Sequence, residues 1–163
     1  MMPSEIAAPK QIQIQTERVR IESLNRQFAT LYCHWCSLIN DCDERSIYKR
    51  VCSNSLNGSS IGEMILRSAA AVEQTCGGLT ANLWDDPFEW TLPEALPSSV
   101  SIIGYLEEVD ATRRRAFSSL RSDADLSREI SLPTGEMTKL SDLLTRTLVT
   151  ATGFYDRAFA SMK

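Results

Sequence analysis

Residues 59–79, Ser-Ser-Ile-Gly-Glu-Met-Ile-Leu-Arg-Ser-Ala-Ala-Ala-Val-Glu-Gln-Thr-Cys-Gly-Gly-Leu, decide the fold. Ser60 stands three residues before Glu63, the spacing at which a serine hydroxyl and a glutamate carboxylate satisfy each other's backbone N–H groups at a helix start. From there Ile61, Ile65, Ser68, Val72, Cys76 and Leu79 recur at spacings of three and four, which places them on one face of an amphipathic helix. Gly77-Gly78 weakens the far end, so the spacing predicts a helix over about 60–77. One apolar stripe needs partners that bury it.

The flanking sequence supplies three. Residues 12 to 42 contain no Pro or Gly, and Leu24, Phe28, Leu31, Trp35, Leu38 and Cys42 form a stripe along them. Ser98 or Ser99 can cap a helix over about 99–121, with Ile102, Leu106, Val109, Arg113, Phe117 and Leu120 on its inner face. Thr138 or Ser141 starts a last helix to about 160, carrying Leu140, Leu144, Thr147, Ala151, Tyr155 and Ala158. Between them, 82–97 holds Pro87, Pro93 and Pro97 with Trp84, Phe88 and Trp90, a packed connection, while 122–137 with Pro133-Thr134-Gly135 reads as a loop. The expectation is an all-α protein: an antiparallel four-helix bundle, one domain over 12–163 behind a flexible segment 1–11.

Composition narrows the functional classes. The 163 residues are 43% apolar and 23% charged with a formal net charge of −4, which leaves no electrostatic footprint for nucleic acid or an anionic membrane surface. Arg113-Arg114-Arg115 would be turned by a helix onto different faces. No apolar run approaches the ~18–20 residues of a membrane span. The opening Met-Met-Pro-Ser-Glu-Ile, with Glu5 and no continuous apolar core, does not read as a signal peptide. A cytoplasmic protein with free thiols is expected, since its five cysteines, Cys33, Cys36, Cys42, Cys52 and Cys76, are odd in number and irregular in spacing.

Three of those cysteines and the only histidine fall in Leu31–Cys42, LYCHWCSLINDC. At ~100° per residue the stripe centres on Trp35, which turns Cys33 to the opposite side, Cys36 to one flank and His34 to the other. A zinc site needs ligands that converge, and a second pair besides. Trp35 and Cys42 therefore read as core, His34 as a surface or groove residue, and Cys33 and Cys36 as outer-face residues. With Ala29 and Asn25 they make a face of small side chains on which two copies could pair as a homodimer.

The order of a long first helix, then SSIGEMILRSAAAVEQTCGGL, an aromatic loop, YLEEVDATRRRAFSSL and PTGEMTKLSDLLTRTLVTATGFYDRAF resembles the DinB/YfiT-like superfamily over nearly the whole length. Ser60-Ile61-Gly62-Glu63 carries the likeness most specifically. The resemblance implies an up-down-down-up four-helix bundle, often dimeric. It also implies a divalent metal on three histidines, one on the second helix and an H-x3-H pair on the last, and in some members thiol-dependent transferase or isomerase activity.

At those positions the chain departs from the pattern. The second-helix histidine falls on Arg67, and the pair falls on Thr150/Phe154, Ala151/Tyr155 or Thr152/Asp156. None supplies the imidazole or thiolate that zinc or nickel prefers, so no metal cofactor is expected. Arg113 on an apolar stripe is either a snorkelling side chain or a buried cation with a carboxylate partner. In the second case Arg67, Arg113 and Tyr155 could hold an anionic small molecule, with Trp84, Asp86 and Trp90 at the mouth. The same loop could instead plug the end of the core. Two functions follow: a small-ligand-binding or interaction module without a metal, or a thiol-dependent transferase or hydrolase working near Arg67 and Asp156.

Overall fold

Four α-helices dominate the computed structural model, which describes residues 17–50, 58–89 and 93–162. They are α1 (Val19–Asp41), α2 (Ile61–Ala81), α3 (Ser99–Ser119) and α4 (Leu140–Ala160). The segment 1–11, residues 12–16 of the expected first helix and Trp90 lie outside the described residues. The first helix therefore begins at Val19 within what is described, and it ends at Asp41.

The start of α2 is built as its sequence requires. The Ser60 hydroxyl accepts from the Glu63 N–H at 3.2 Å, and the Glu63 carboxylate accepts from the Ser60 N–H at 2.8 Å. Gly62 lies against Ile47 and Tyr48, where an added Cβ would come within 2.7 Å of the Ile47 side chain and 2.6 Å of the Tyr48 ring. Only glycine permits that approach.

At its far end α2 continues to Ala81, past the glycine pair that was expected to stop it near 77. The reason is packing. The Trp84 ring lies on Gly78, in the space a Cβ would need. Asn82 takes a left-handed conformation (φ 55°) and its N–H donates to Gly78 O at 3.1 Å, while the Leu83 N–H donates to Gly77 O at 3.2 Å. The glycines serve the cap and the ring.

A second correction concerns 122–137. This segment holds a short 3-10 turn (Asp123–Ser127) and two strands, β1 (Glu129–Ser131) and β2 (Met137–Lys139), paired antiparallel with Ile130 opposite Thr138. Gly135 (φ 83°) makes the reversal. Strands of three residues, exposed at both ends, carry too little alternation for a strand signal. The turn has a further use: both Asp123 carboxylate oxygens accept, at 2.9 Å, the Arg20 and Ile21 N–H groups at the start of α1. In the reverse sense, the Arg18 guanidinium donates to Leu120 O and Phe117 O at the end of α3. Each charge meets the helix end of opposite partial charge.

The stripes close on one core. α2 packs against α3 and α4, and α1 lies against the same two helices. Phe28, Leu31, Trp35 and Leu38 of α1, and the whole α3 stripe including Arg113, are buried. Leu24, Cys42 and Tyr155 are only half-buried at its margin, and Ile21 and Ile39 join the core. At the centre the Trp35 indole Nε1–H donates to Ser68 Oγ at 2.8 Å, and the Ser68 hydroxyl donates to Ala151 O at 2.6 Å. Three helices meet in that relay. Replacing Ser68 by Ala leaves the buried indole N–H without its acceptor and is expected to lower stability by about 1–3 kcal/mol. Urea denaturation of Ser68→Ala checks this. Combining it with Trp35→Phe should cost less than the two single losses added.

Candidate functional site

The cleft between α2 and α4 has the geometry of a small-molecule site. Ala71, Gln74 and Thr75 of α2 face Leu143, Arg146, Thr147 and Thr150 of α4 across a space of about 400 Å³. These residues stand three and four apart on each helix, so each set occupies one face. Leu132, Pro133 and Thr134, from the turn between the two strands, close one side and Trp84 closes another. Trp84 is fixed by its seat on Gly78, by its Nε1–H donating to Asn82 Oδ1 at 2.9 Å, and by its carbonyl accepting from Gln74 Nε2 at 2.8 Å.

The floor is a hydroxyl pair. Thr75 and Thr147 lie 2.6 Å apart, both buried, and the Thr147 hydroxyl donates to Leu143 O at 2.9 Å. A hydroxyl has one proton, so Thr75 is the donor to Thr147. Arg146 stands at the rim with its guanidinium 3.3 Å from Glu136 on the hairpin turn, and both side chains are about half exposed. A concave apolar wall with a few convergent polar groups is the usual form of a ligand pocket.

A larger cleft, about 560 Å³, separates α2 from α3. Glu73, Asp85, Glu108 and Arg115 line it, and the Glu73 carboxylate is occupied by the Tyr105 hydroxyl at 2.5 Å. Its lining is more charged than that of the α2/α4 cleft.

The residues singled out from sequence fall into separate neighbourhoods. Arg113 is buried, and its guanidinium is spent on the protein: Nε and Nη2 donate to Asp110 at 2.9 and 2.7 Å, and Nη1 donates to the Asn25 side chain. The snorkelling alternative does not describe it. Arg67 is exposed, with its guanidinium 3.9 Å above the Phe88 ring. Tyr155 stacks on His34 at 5.2 Å and on Phe159 at 6.0 Å, on the α1 side of α4. Arg67, Arg113 and Tyr155 therefore do not share a pocket. Thr152, Tyr155 and Asp156 do share a groove, about 300 Å³, with His34, Gln27 and Thr30 of α1. Trp84 lines the α2/α4 cleft, whereas Asp86 is exposed and accepts the Phe88 N–H at 3.0 Å. The cleft's hydroxyl floor was missed because Thr75 and Thr147 look like ordinary helix positions. Thr147 stands on the stripe of the last helix, but Thr75 lies beside the α2 stripe rather than on it, so nothing local pairs the two.

The metal pattern of the resembled superfamily does not fit these residues. Ala151 points to the core and its carbonyl receives Ser68; Thr150 faces the α2 cleft; Thr152 and Asp156 face α1, in a groove to which α2 contributes no residue. An exposed arginine on α2 and these groups do not converge on one ion. Among the described residues no group of three or more His, Cys, Asp or Glu side chains could hold a metal. Compared with protein-family models, with curated proteins and with solved structures, the chain matches none.

Four of the five thiols lie among the described residues. Cys33 is exposed, Cys36 and Cys42 are half-buried, and Cys76 is buried. Burial raises Cys36 and Cys42 above the ordinary thiol value, the reverse of the activation a nucleophilic cysteine needs. Burial pushes Cys76 up to about 12, against a smaller opposing pull from Arg113. A bulky thiol reagent should label Cys33 first, then Cys36 and Cys42, and Cys76 only on unfolding. The unfolded Cys76 thiol ionises near 9.0, so its contribution to stability is complete below that pH and is lost as pH rises toward 12. Stability measured by urea at pH 8 and pH 10 should fall for the parent, and fall less for Cys76→Ala.

Proposed function

We propose that this chain is a DinB/YfiT-like bundle that has lost the metal site and binds a small molecule in the α2/α4 cleft. The observation that carries the reading is the cleft itself: an apolar wall made by Trp84, Pro133 and Leu143, a buried hydroxyl floor and a single cation at the rim. Loss of the metal rests on the donor set, an arginine and hydroxyls where imidazoles would be needed.

The up-down-down-up course is supported by which positions meet. Between α1 and α3 the numbers run in opposite senses, with Arg18 at Leu120, Asn25 at Arg113 and, beyond α1, Glu44 at Ser99. Between α2 and α4 they do so again, with Ser68 at Ala151 and Thr75 at Thr147. Between α1 and α4 they rise together, from His34 beside Tyr155 to Asp41 beside Met162. Ser60-Ile61-Gly62-Glu63, the most specific point of likeness, has a physical use at each position: cap, core, close approach and cap.

A cytoplasmic homodimer belongs to the same reading. No helix of the described residues is long and apolar enough to cross a membrane. Of the α1 face offered for pairing, Cys33 is exposed, while Asn25 is held by Arg113 and Cys36 packs against the core. The pairing surface would therefore centre on Cys33.

Soaking crystals with small neutral aromatic fragments tests the ligand-binding reading. Fragments are expected beside Trp84 and Thr147 in the parent and absent in Thr150→Trp, an exposed helical position where the new ring fills the cleft. Elemental analysis after zinc or nickel supplementation should give well below about one equivalent of metal. An empty cleft under every fragment, or stoichiometric metal, would contradict the proposal.

A further inference from the structure

The charges lining the α2/α4 cleft differ from those lining the two neighbouring clefts. The chain carries a formal net charge of −4. The α2/α3 cleft is lined by three carboxylates and Arg115, and the α1/α4 groove by Asp156. The lining of the α2/α4 cleft has no carboxylate, and Arg146 is its single charged residue. Within that lining an anion meets one cation, whose present partner is the Glu136 carboxylate at 3.3 Å.

Arg146 is also available. Its partner Glu136 sits outside the cleft lining, at 3.3 Å through one guanidinium nitrogen, with the two side chains 52% and 53% exposed. A pair of that kind contributes little to stability. The arginines singled out from sequence are committed elsewhere, Arg113 to Asp110 and Asn25 and Arg67 to the Phe88 ring. A guanidinium presents a planar fork that matches a carboxylate with two parallel N–H donors, a stronger arrangement than its present single contact. Trp84, fixed at three points, offers a flat rigid wall beside it. The volume of about 400 Å³ lies near the lower end for ligand pockets and suits a planar body of one or two rings.

Resting on the ligand-binding reading above, we infer that the cleft takes a small planar carboxylate. Its ring lies along Trp84 and its carboxylate replaces Glu136 on Arg146. Glu136 acts as a resident counter-ion that the ligand displaces.

The probes are 2-naphthoate and its neutral isostere 2-naphthamide, titrated against the full chain by calorimetry. A charge-assisted bond to Arg146 should make the acid bind about tenfold tighter than the amide or better. Arg146→Gln should remove that advantage, weakening the acid far more than the amide. Glu136→Gln, which removes the competing carboxylate, should tighten the acid a few-fold and leave the amide alone. Both variants alter exposed side chains, and their unfolding midpoints should match the parent's. Equal affinity for acid and amide, an advantage that survives Arg146→Gln, or no binding of either probe would overturn the inference. Neutral fragments bound at Trp84 with no acid preference would overturn this inference alone and leave the ligand-binding reading standing.

Discussion

A tryptophan buried at the centre of a helical bundle brings an indole N–H that water cannot reach, and leaving it unpaired costs about 1–3 kcal/mol. Trp35 is 1% exposed, and the acceptor its indole N–H meets is the Ser68 hydroxyl of α2. Ser68 resolves the problem. Its hydroxyl accepts from Trp35 and passes its own proton to Ala151 O, as a second bond on a carbonyl that has two lone pairs. The relay sets the distance between α1, α2 and α4, and it fixes which face of each helix turns inward. Serine on the α2 stripe is thus a structural requirement of the tryptophan on the α1 stripe.

The remaining helix, α3, is held by a different polar device. Arg113 and Asp110 form a buried ion pair, extended to Asn25 of α1, with the exposed Arg114 on the other oxygen of Asp110 at 3.1 Å. Removing one member of such a pair leaves a buried charge unpaired, at a cost of about 3–5 kcal/mol, although the intact pair contributes much less than that. Every buried side-chain nitrogen and oxygen among the described residues has a partner. The core polar groups are consumed by the fold, which is why an arginine on an apolar stripe, the first candidate for chemistry, is unavailable to a ligand. Binding capacity is left to the clefts between helices, and the α2/α4 cleft combines a rigid aromatic wall with a cation held by one exposed carboxylate.

Periodicity made the four helices and most of their inner faces legible, because spacings of three and four survive any detail of packing. The capping box at Ser60 and the divergence of Cys33, His34 and Cys36 around Trp35 were legible for the same reason: they depend on local geometry alone. What depended on contacts between distant segments was not. Gly77 and Gly78 read as a weak helix end, yet the Trp84 ring needs that space and the helix continues. Residues 122–137 read as a loop because a hairpin of two three-residue strands has too few positions to alternate. Arg113 left two alternatives open, since the presence of Asp110 one turn earlier says nothing of whether both are buried. The candidate cleft joins α2, α4, the hairpin turn and Trp84 from four places in the chain, and no local pattern announces such a meeting.

The central claim is that Trp35 donates to a buried relay shared by three helices. Hydrogen exchange at its indole Nε1–H, followed by NMR, tests that most directly. This proton is expected to exchange only through global unfolding, as slowly as the most protected backbone amides of α2 and α4, while the indole proton of the half-buried Trp84 exchanges far faster. Comparable rates for the two indoles in the native protein would contradict it.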